Sequence, residues 1–285
     1  MRILVRRLGA LGDVVLTTPV IRRLRRENPD IEIGVQTGYP DVFRNSPHRL
    51  TVFQPGPLPY PWTPQGGLDH TIELDLAYER RPDMHIVRAF MLAAFDDEGD
   101  PADHRQEIFP GGVSPFFGDQ KVVAIHAAKA GWRSRTLPEA TWIAVVEGIR
   151  ERGMFPLMVG SMRDSAPKVK AAAFHLHDIM SQVRIIDRCT CFIGSDSGLM
   201  HVAATTDVPI VCAFTSAAAE LRMPRRYGRL DWRFEAVTPP LECIGCLARA
   251  PVPTTSEPAC ERGDFVCTTA VTADMLLAAM DRLLG

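Results

Sequence analysis

The chain of 285 residues is 46% hydrophobic and 23% charged, and its formal net charge is −2. This length predicts one large or two medium domains, and the composition is that of a globular, soluble protein with no apolar run long enough to cross a bilayer. The charge balance lacks the basic excess of nucleic-acid-binding proteins, so we expect no nucleic-acid partner.

The chain begins with the pattern of a strand, a glycine turn and a helix. RILVRR (2–7) predicts a short strand, LGALGD (8–13) predicts the turn, and the apolar spacing of 14–28 predicts a helix. Pro19 predicts a kink or a restart in that helix, because proline has no N–H to donate and clashes with the preceding turn. Asp13 interrupts the apolar run and no small-residue cleavage site follows, so we do not read a signal peptide and expect a cytoplasmic protein.

The rest of the first half continues to alternate. IEIGVQT (31–37) predicts a strand parallel to the first, and TIELDLAY (71–78) and PDMHIVRAFMLAAF (82–95) predict a strand and a helix. The segment 54–67 is dense in proline and glycine and predicts a loop. The polar, punctuated sequence after the helix places a domain boundary at residues 115–116.

The second half repeats this rhythm. The predicted strands are 121–128, 154–161, 189–194 and 208–214, and the predicted helices are 138–153, 164–188, one from about 198, and 272–285. We therefore predict an α/β protein with two doubly wound domains, 1–115 and 116–285. Ligands of such sheets bind beyond the carboxyl ends of the strands, commonly between domains, so the strand-to-helix turns should carry the function.

Three strand-to-helix turns combine glycine with charged or hydroxyl side chains: LGALGD (8–13), HAAKAGWRSRTLP (126–138) and GSDSGLMH (194–201). In the third turn, Ser195, Asp196 or Ser197 can cap the following helix. Gly198 lets another group approach the backbone closely. Backbone N–H groups and the helix dipole make such a turn a natural anion site, although taken alone it also fits a capped helix that binds nothing.

These turns, in this order, resemble glycosyltransferase family 9, the ADP-heptose:lipopolysaccharide heptosyltransferases and their relatives. The resemblance is carried by RILVRRLGALGDVVLTTPVIRRLR, GWRSRTLPEATW and FIGSDSGLMHVAATTDVPIVCAFTS. It implies a GT-B fold, in which two Rossmann-like domains face a cleft that binds a nucleotide sugar. The implied activity is an inverting transfer of heptose, or a similar sugar, from an ADP-activated donor to a hydroxyl of a lipopolysaccharide core or of another glycan or protein.

The resemblance also implies roles for single residues. Asp13 matches the catalytic aspartate, which would take the proton of the acceptor hydroxyl; without the resemblance it is also an ordinary acid in the first turn of a helix. The residues placed on the donor side are Gly12, Lys129, Arg135, Asp196, Ser197, Gly198 and His201. Asp196 should brace the turn or bond a neighbouring hydroxyl or backbone group, and His201 either contacts the nucleotide or packs against the sheet. No catalytic metal is implied.

The middle turn departs from the family pattern. Family members often place a lysine three residues before the proline of this segment, where this chain has Arg135 before Pro138. Arginine binds phosphate with a planar fork and differs from lysine in reach and hydration. Lys129, Arg133 and Arg135 are therefore all candidates for neutralising the donor phosphate.

Four cysteines follow in a loop rich in proline and polar residues: Cys243, Cys246, Cys260 and Cys267. The leading CxxC and four thiols predict a structural zinc or iron site, with unligated thiols or a partial disulfide as the alternatives. Some members of the family, including protein-modifying heptosyltransferases, have a cysteine-rich metal finger at this place. The remaining cysteines fall in predicted strands and should be buried as small hydrophobic residues: Cys189, Cys191 and Cys212.

The acceptor is the least determined part. Family members are usually longer after residue 80, where the acceptor would bind, so a lipid-linked sugar, a protein and a small molecule all stay open. A lipid-linked acceptor would bring the protein into peripheral contact with a membrane. A nucleotide-sugar-binding protein without transferase activity is the alternative function. A dinucleotide oxidoreductase is disfavoured because LGALGD is not a GxGxxG turn.

Overall fold

Two parallel β-sheets carry the fold. The computed structural model describes residues 1–127, 131–161, 172–175, 178–224, 233–253 and 255–285. None of the helices in these ranges combines the length and the apolar character that spanning a membrane requires.

The first sheet has the order β3-β2-β1-β4, with all neighbours parallel. Its strands are β1 (Arg2–Arg6), β2 (Glu32–Gln36), β3 (Leu50–Phe53) and β4 (His70–Glu73), and its helices are α1 (Leu11–Val15), α2 (Thr18–Glu27) and α3 (Ile86–Phe95). The central strand β1 buries Ile3, Leu4 and Val5 because helices cover both faces of a parallel sheet.

The second sheet has the order β10-β9-β8-β5-β6-β7 and is also parallel throughout. Its strands are β5 (Val122–His126), β6 (Phe155–Gly160), β7 (Ala172–His175), β8 (Cys191–Ser195), β9 (Ile210–Ala213) and β10 (Phe234–Val237). The helices of this half are α4 (Glu139–Glu151), α5 (Ile179–Ile186), α6 (Gly198–Ala203), α7 (Ala219–Arg222), α8 (Val266–Thr269) and α9 (Ala273–Leu284).

Both sheets have the same switch in strand order. The chain builds outward from β1 through β2 to β3 and then returns to β4, and it builds outward from β5 before returning to β8. At such a switch the following loops leave in opposite directions and open a crevice at the carboxyl ends of the strands. The loops after β1, β4, β5 and β8 are therefore the ones placed to form a ligand site.

The two halves share buried apolar surface. One continuous cluster joins Val5 and Phe90 of the first half to Phe192 and Met200 of the second. A second cluster lies on the other face of the larger sheet, beneath α4 and α9. The first cluster packs α1 against α6 and so brings the turns that precede these helices together.

The predicted fold class is confirmed, and so is the helix restart at Pro19. The helical pattern divides into α1 and α2, with Pro19 in the first turn of α2, where a missing N–H costs nothing. The helix predicted over 164–188 is wrong in part, because 172–175 form β7 and α5 starts at Ile179; residues 162–171 and 176–177 lie outside the described ranges. The sequence patterns also missed the edge strands β3 and β10.

A tryptophan from the proline-rich loop covers β2. Trp62 is 5% exposed, and its ring meets that of Phe53 edge to face at 5.3 Å. A Cβ at Gly34 would lie 2.5 Å from Cζ3 of Trp62, so the strand carries glycine where the indole sits.

We predict that Gly34→Ala displaces Trp62 and lowers the free energy of unfolding by about 1–3 kcal/mol, as overpacking of a buried site does. Urea unfolding measures this, with Glu32→Ala as the control because Glu32 is exposed on the same strand and its ion pair with Arg2 lies at the surface. Equal stability of the two variants would contradict the packing argument.

Candidate active site

A cleft of about 700 Å³ lies at the carboxyl ends of both sheets. The loops after β1, β4, β5 and β8 all contribute to its lining, as the switch in strand order predicts, and other segments complete it. The sequence-predicted site residues that line it are Gly12, Asp13, Arg135, Asp196, Ser197, Gly198 and His201. Lys129 falls outside the described residues.

Asp13 is the centre of a buried charged network on the first half's side of the cleft. Its Oδ2 accepts a hydrogen bond from Nη2 of Arg7 at 2.5 Å and another from the hydroxyl of Tyr78 at 3.1 Å. The same Nη2 of Arg7 donates to Oε1 of Glu79 at 2.7 Å. The residues Arg7, Asp13 and Glu79 are all less than 10% exposed, so one guanidinium bridges two buried carboxylates.

The charges in this network keep Arg7 charged and Tyr78 protonated. Burial alone would lower the pKa of Arg7, but the charge of Asp13 and the hydrogen bond to Glu79 raise it above its ordinary value. Burial, together with the negative charge of Asp13, raises the pKa of Tyr78, so its hydroxyl keeps its proton and donates a hydrogen bond to Asp13. Both neighbours of Oδ2 are therefore permanent donors at neutral pH.

The turns that precede α1 and α6 touch through two glycines. A Cβ at Gly12 would lie 2.8 Å from Cδ2 of His201 and 3.0 Å from Cα of Gly198. A Cβ at Gly198 would lie 3.0 Å from the backbone N of Gly12. Only glycine permits this approach, which places Asp13 beside the GSDSGLMH turn.

The third turn, GSDSGLMH (194–201), is held by hydrogen bonds to other loops and not by a capping side chain. Contrary to expectation, none of Ser195, Asp196 and Ser197 makes a side-chain cap bond to α6. Ser197 instead bonds through Oγ to Nδ1 of His126 at 2.9 Å. The carboxylate of Asp196 accepts from Nη1 of Arg135 at 3.1 Å, an ion pair where we expected a hydroxyl or backbone partner.

Of the middle-turn cations that the structure describes, Arg133 and Arg135, the one that lines the cleft is Arg135. Its guanidinium lies over the Trp132 ring, 4.3 Å from the ring centroid. Arg133 turns away to the cysteine loop, where its guanidinium lies 4.5 Å from the ring centroid of Phe265. The two arginines of this segment therefore reach different places: Arg135 lies in the cleft and Arg133 lies against the cysteine loop.

His201 is an uncharged histidine at the floor of the cleft. Its side chain is buried, and its Nδ1 has no hydrogen-bond partner among the described residues. Burial lowers the pKa of His201 to about 4, although the charges of Asp196 and Asp13 act in the opposite direction. The ring therefore offers one donor and one acceptor at neutral pH and carries no charge.

This burial predicts a pH dependence of stability. Between its ordinary pKa of 6.5 and its folded pKa of about 4, His201 binds a proton in the unfolded chain that the folded chain excludes. Its contribution is therefore complete above pH 6.5 and is lost as the pH falls towards 4, by about 2–3 kcal/mol at pH 4.5.

We predict that His201→Gln shows a smaller drop in the free energy of unfolding between pH 7 and pH 4.5 than the wild-type protein, measured by urea unfolding at both values. His70→Gln is the control, since His70 is exposed on β4. An unchanged drop in His201→Gln would show that the native state takes up this proton.

The four cysteines of the loop converge on one small pocket. Cys243, Cys246, Cys260 and Cys267 line it, and all four are free thiols. Burial raises the pKa of Cys246, and that of Cys267 to about 11, whereas backbone N–H groups of the 262–265 turn, Phe265 first, lower the pKa of Cys260. Within the described ranges no group of three or more His, Cys, Asp or Glu is arranged to hold a metal ion, so the metal stays a prediction.

The other three cysteines are confirmed as buried small residues, although Cys189 lies in the turn before β8 and not in a strand. Cys189, Cys191 and Cys212 are each less than 10% exposed. Burial raises the pKa of Cys189 and of Cys191 to about 12, which keeps both thiols protonated and unreactive.

Sequence reasoning missed several cleft residues: Arg7, Tyr78, Glu79, His126, Trp132 and Arg222. Arg7 and His126 stand at the carboxyl ends of β1 and β5, and Glu79 lies in the loop after β4. The rule that ligands meet the strand ends at a switch point would have indicated the first two. Tyr78 was hidden at the end of a pattern that predicted a longer strand, 71–78, and Glu79 directly follows that pattern.

Solved structures of low sequence identity share the fold of this chain. The iron-containing dodecameric glycosyltransferase TibC from enterotoxigenic E. coli aligns with a TM-score of 0.77 at 14% identity, over 99% of this chain and 75% of that one. A glycosyl transferase family 9 protein from Veillonella parvula gives 0.68 at 15%, over 99% and 97%, and E. coli heptosyltransferase WaaC with ADP gives 0.63 at 12%, over 99% and 100%. The fold is that of GT-B glycosyltransferases.

The family follows from the sequence. The family model described as glycosyltransferase family 9 (heptosyltransferase) matches residues 68–228, more than half of the chain. The chain belongs to this family, and it is a glycosyltransferase. No curated protein sequence matches it.

Proposed function

We propose that this glycosyltransferase transfers heptose, or a similar sugar, from an ADP-activated donor to an acceptor hydroxyl with inversion at the anomeric carbon. The observation that carries the proposal is the placement of Asp13 in the same cleft as Arg135 and the Asp196–Gly198 turn. Support for the donor comes from solved relatives of the same fold, TibC in complex with ADP-D-β-D-heptose and WaaC with ADP. The proposed acceptor is a lipopolysaccharide core, another glycan or a protein.

In this proposal the second half of the chain, residues 116–285, binds the donor. Arg135 and the backbone of the Ser197–Gly198 turn face the diphosphate, and His201 lies below it as a neutral ring. The diphosphate gains negative charge as the glycosidic bond breaks, and donors already aimed at it lower the barrier. The reaction proposed here uses no catalytic metal ion.

The first half, residues 1–115, supplies the base. Asp13 takes the proton of the acceptor hydroxyl while the hydroxyl oxygen bonds to the anomeric carbon from the face opposite the diphosphate. The bond to the diphosphate breaks in the same step, and the nucleoside diphosphate leaves with the electron pair. Attack from the opposite face inverts the configuration.

We predict that Asp13→Asn lowers turnover by about 10²–10⁴-fold, the usual contribution of a general base, while the affinity for ADP stays unchanged. Release of nucleoside diphosphate from ADP-heptose measures turnover, and calorimetry with ADP measures binding. Asp41→Asn is the matched control, because Asp41 pairs with Arg44 on the surface. Wild-type turnover in Asp13→Asn would exclude Asp13 as the base.

The donor is tested by thermal shifts with ADP-, GDP-, UDP- and dTDP-sugars. A ligand that binds only the folded state raises the unfolding temperature in proportion to its binding free energy. We expect a shift with the ADP-sugar that exceeds the other three. An equal or larger shift with another nucleotide would replace ADP in the proposal.

We further propose that Cys243, Cys246, Cys260 and Cys267 hold a structural zinc or iron ion. Four free thiols line one pocket, and backbone N–H groups favour the thiolate of Cys260, the form that binds a metal. Such an ion would stabilise a loop with little core of its own and would take no part in the transfer.

We predict about one zinc or iron per chain in the purified protein and almost none in Cys243→Ser/Cys246→Ser, measured by elemental analysis. A strong chelator should lower the unfolding temperature of the wild-type protein. Cys189→Ala controls for the loss of a thiol elsewhere. Wild-type protein that purifies without metal, and whose unfolding does not respond to added zinc or iron, would contradict the site.

A further inference from the structure

The network around Asp13 contains more than a base. Resting on the proposed role of Asp13, we infer that Arg7, Tyr78 and Glu79 are positioning residues: they fix one oxygen of the Asp13 carboxylate, leave the other for the acceptor, and set the strength of the base through a shared guanidinium.

The fixed oxygen is Oδ2. Nη2 of Arg7 and the hydroxyl of Tyr78 both donate to it, at 2.5 and 3.1 Å. Arg7 is itself anchored, because Nη1 donates to the backbone oxygen of Leu74 at 3.0 Å. Phe90 and Tyr78 supply two rings whose centroids lie within 6 Å of the guanidinium carbon. The carboxylate plane is thus set by groups that cannot rotate away.

The second oxygen of Asp13, Oδ1, has a different environment. Among the described residues, no hydrogen-bond donor reaches it, and Asp13 lines the cleft. A carboxylate with one oxygen saturated and one open has a single direction in which to accept a proton. The acceptor hydroxyl must therefore approach Oδ1 from the cleft.

Glu79 weakens the electrostatic attraction between Arg7 and Asp13, because it pairs with the same guanidinium. A carboxylate paired alone with arginine is held strongly in its ionised form and is a weak base. Here Arg7 also bonds to Glu79 at 2.7 Å and lies 3.8 Å from Asp75. The negative charge of Glu79 therefore offsets part of the attraction between Arg7 and Asp13.

The other ionisable groups around Asp13 do not take over this role. Tyr78 keeps its proton and His201 is uncharged at neutral pH. The guanidinium of Arg222, on α7, lies over the Tyr78 ring, 4.6 Å from its centroid, and forms no ion pair with a described carboxylate. Of the two other carboxylates beside Arg7, Glu79 lies nearer to the guanidinium than Asp75, at 2.7 Å against 3.8 Å, and is the main anion that shares it with Asp13.

Two substitutions should shift the pH profile in opposite directions. In Glu79→Gln, Asp13 keeps Arg7 to itself and stays ionised at lower pH, so the acidic limb of kcat/KM should move down by about one pH unit, and kcat should fall about tenfold. In Tyr78→Phe, ionised Asp13 loses a donor, so the acidic limb should move up. ADP affinity should be unchanged in both variants.

Glu73→Gln is the matched control. Glu73 ends β4, the strand that precedes Glu79, and it forms a surface pair with Arg6. Glu79→Asp should recover part of the wild-type profile. Both test variants keep Arg7 in place, and their unfolding temperatures are measured alongside.

The outcomes separate the two proposals. If Asp13→Asn is inactive but Glu79→Gln has the wild-type limb and kcat, the shared-guanidinium inference is overturned and the base stands. If the acidic limbs of Glu79→Gln and Tyr78→Phe move in the same direction, the inference also fails. If Asp13→Asn turns over normally, the proposed function of Asp13 itself is wrong.

Discussion

The close approach of two glycines is the constraint on which the rest of the site depends. Gly12 and Gly198 belong to the turns that leave different sheets, and a Cβ on either would lie about 3.0 Å from the backbone of the other turn. Only at that separation can Asp13 and the Asp196–Gly198 turn line one cleft. Two parallel sheets, each with its own switch in strand order, thereby present a single site.

Buried charge is the second organising feature. Arg7 is satisfied by Asp13 and Glu79, and Arg135 by Asp196, while His201 avoids a charge altogether. Burying an unpaired ion costs several kcal/mol, so these pairings are what allow polar groups to occupy the cleft floor. In the proposed function, a diphosphate bound beside Arg135 would compete with Asp196 for the same guanidinium, which would couple donor binding to the conformation of that turn.

The sequence could predict what is local, and it failed where distant segments meet. The turns containing Asp13 and Asp196 follow from a strand, glycine and helix read over a few neighbouring residues, and the family resemblance added their proposed roles. The bond between Arg7 and Glu79 joins residues 72 positions apart and exists because β4 lies next to β1. No periodicity encodes that adjacency. The edge strands β3 and β10 were missed because strands of four residues carry too little pattern.

The continuous apolar cluster beneath both sheets has a consequence for how the molecule comes apart. Val5 and Phe90 belong to the same packed core as Phe192 and Met200, so neither half can melt without exposing apolar surface of the other. A chain whose sequence divides into two repeated units should therefore unfold as one cooperative unit, with a single equilibrium transition.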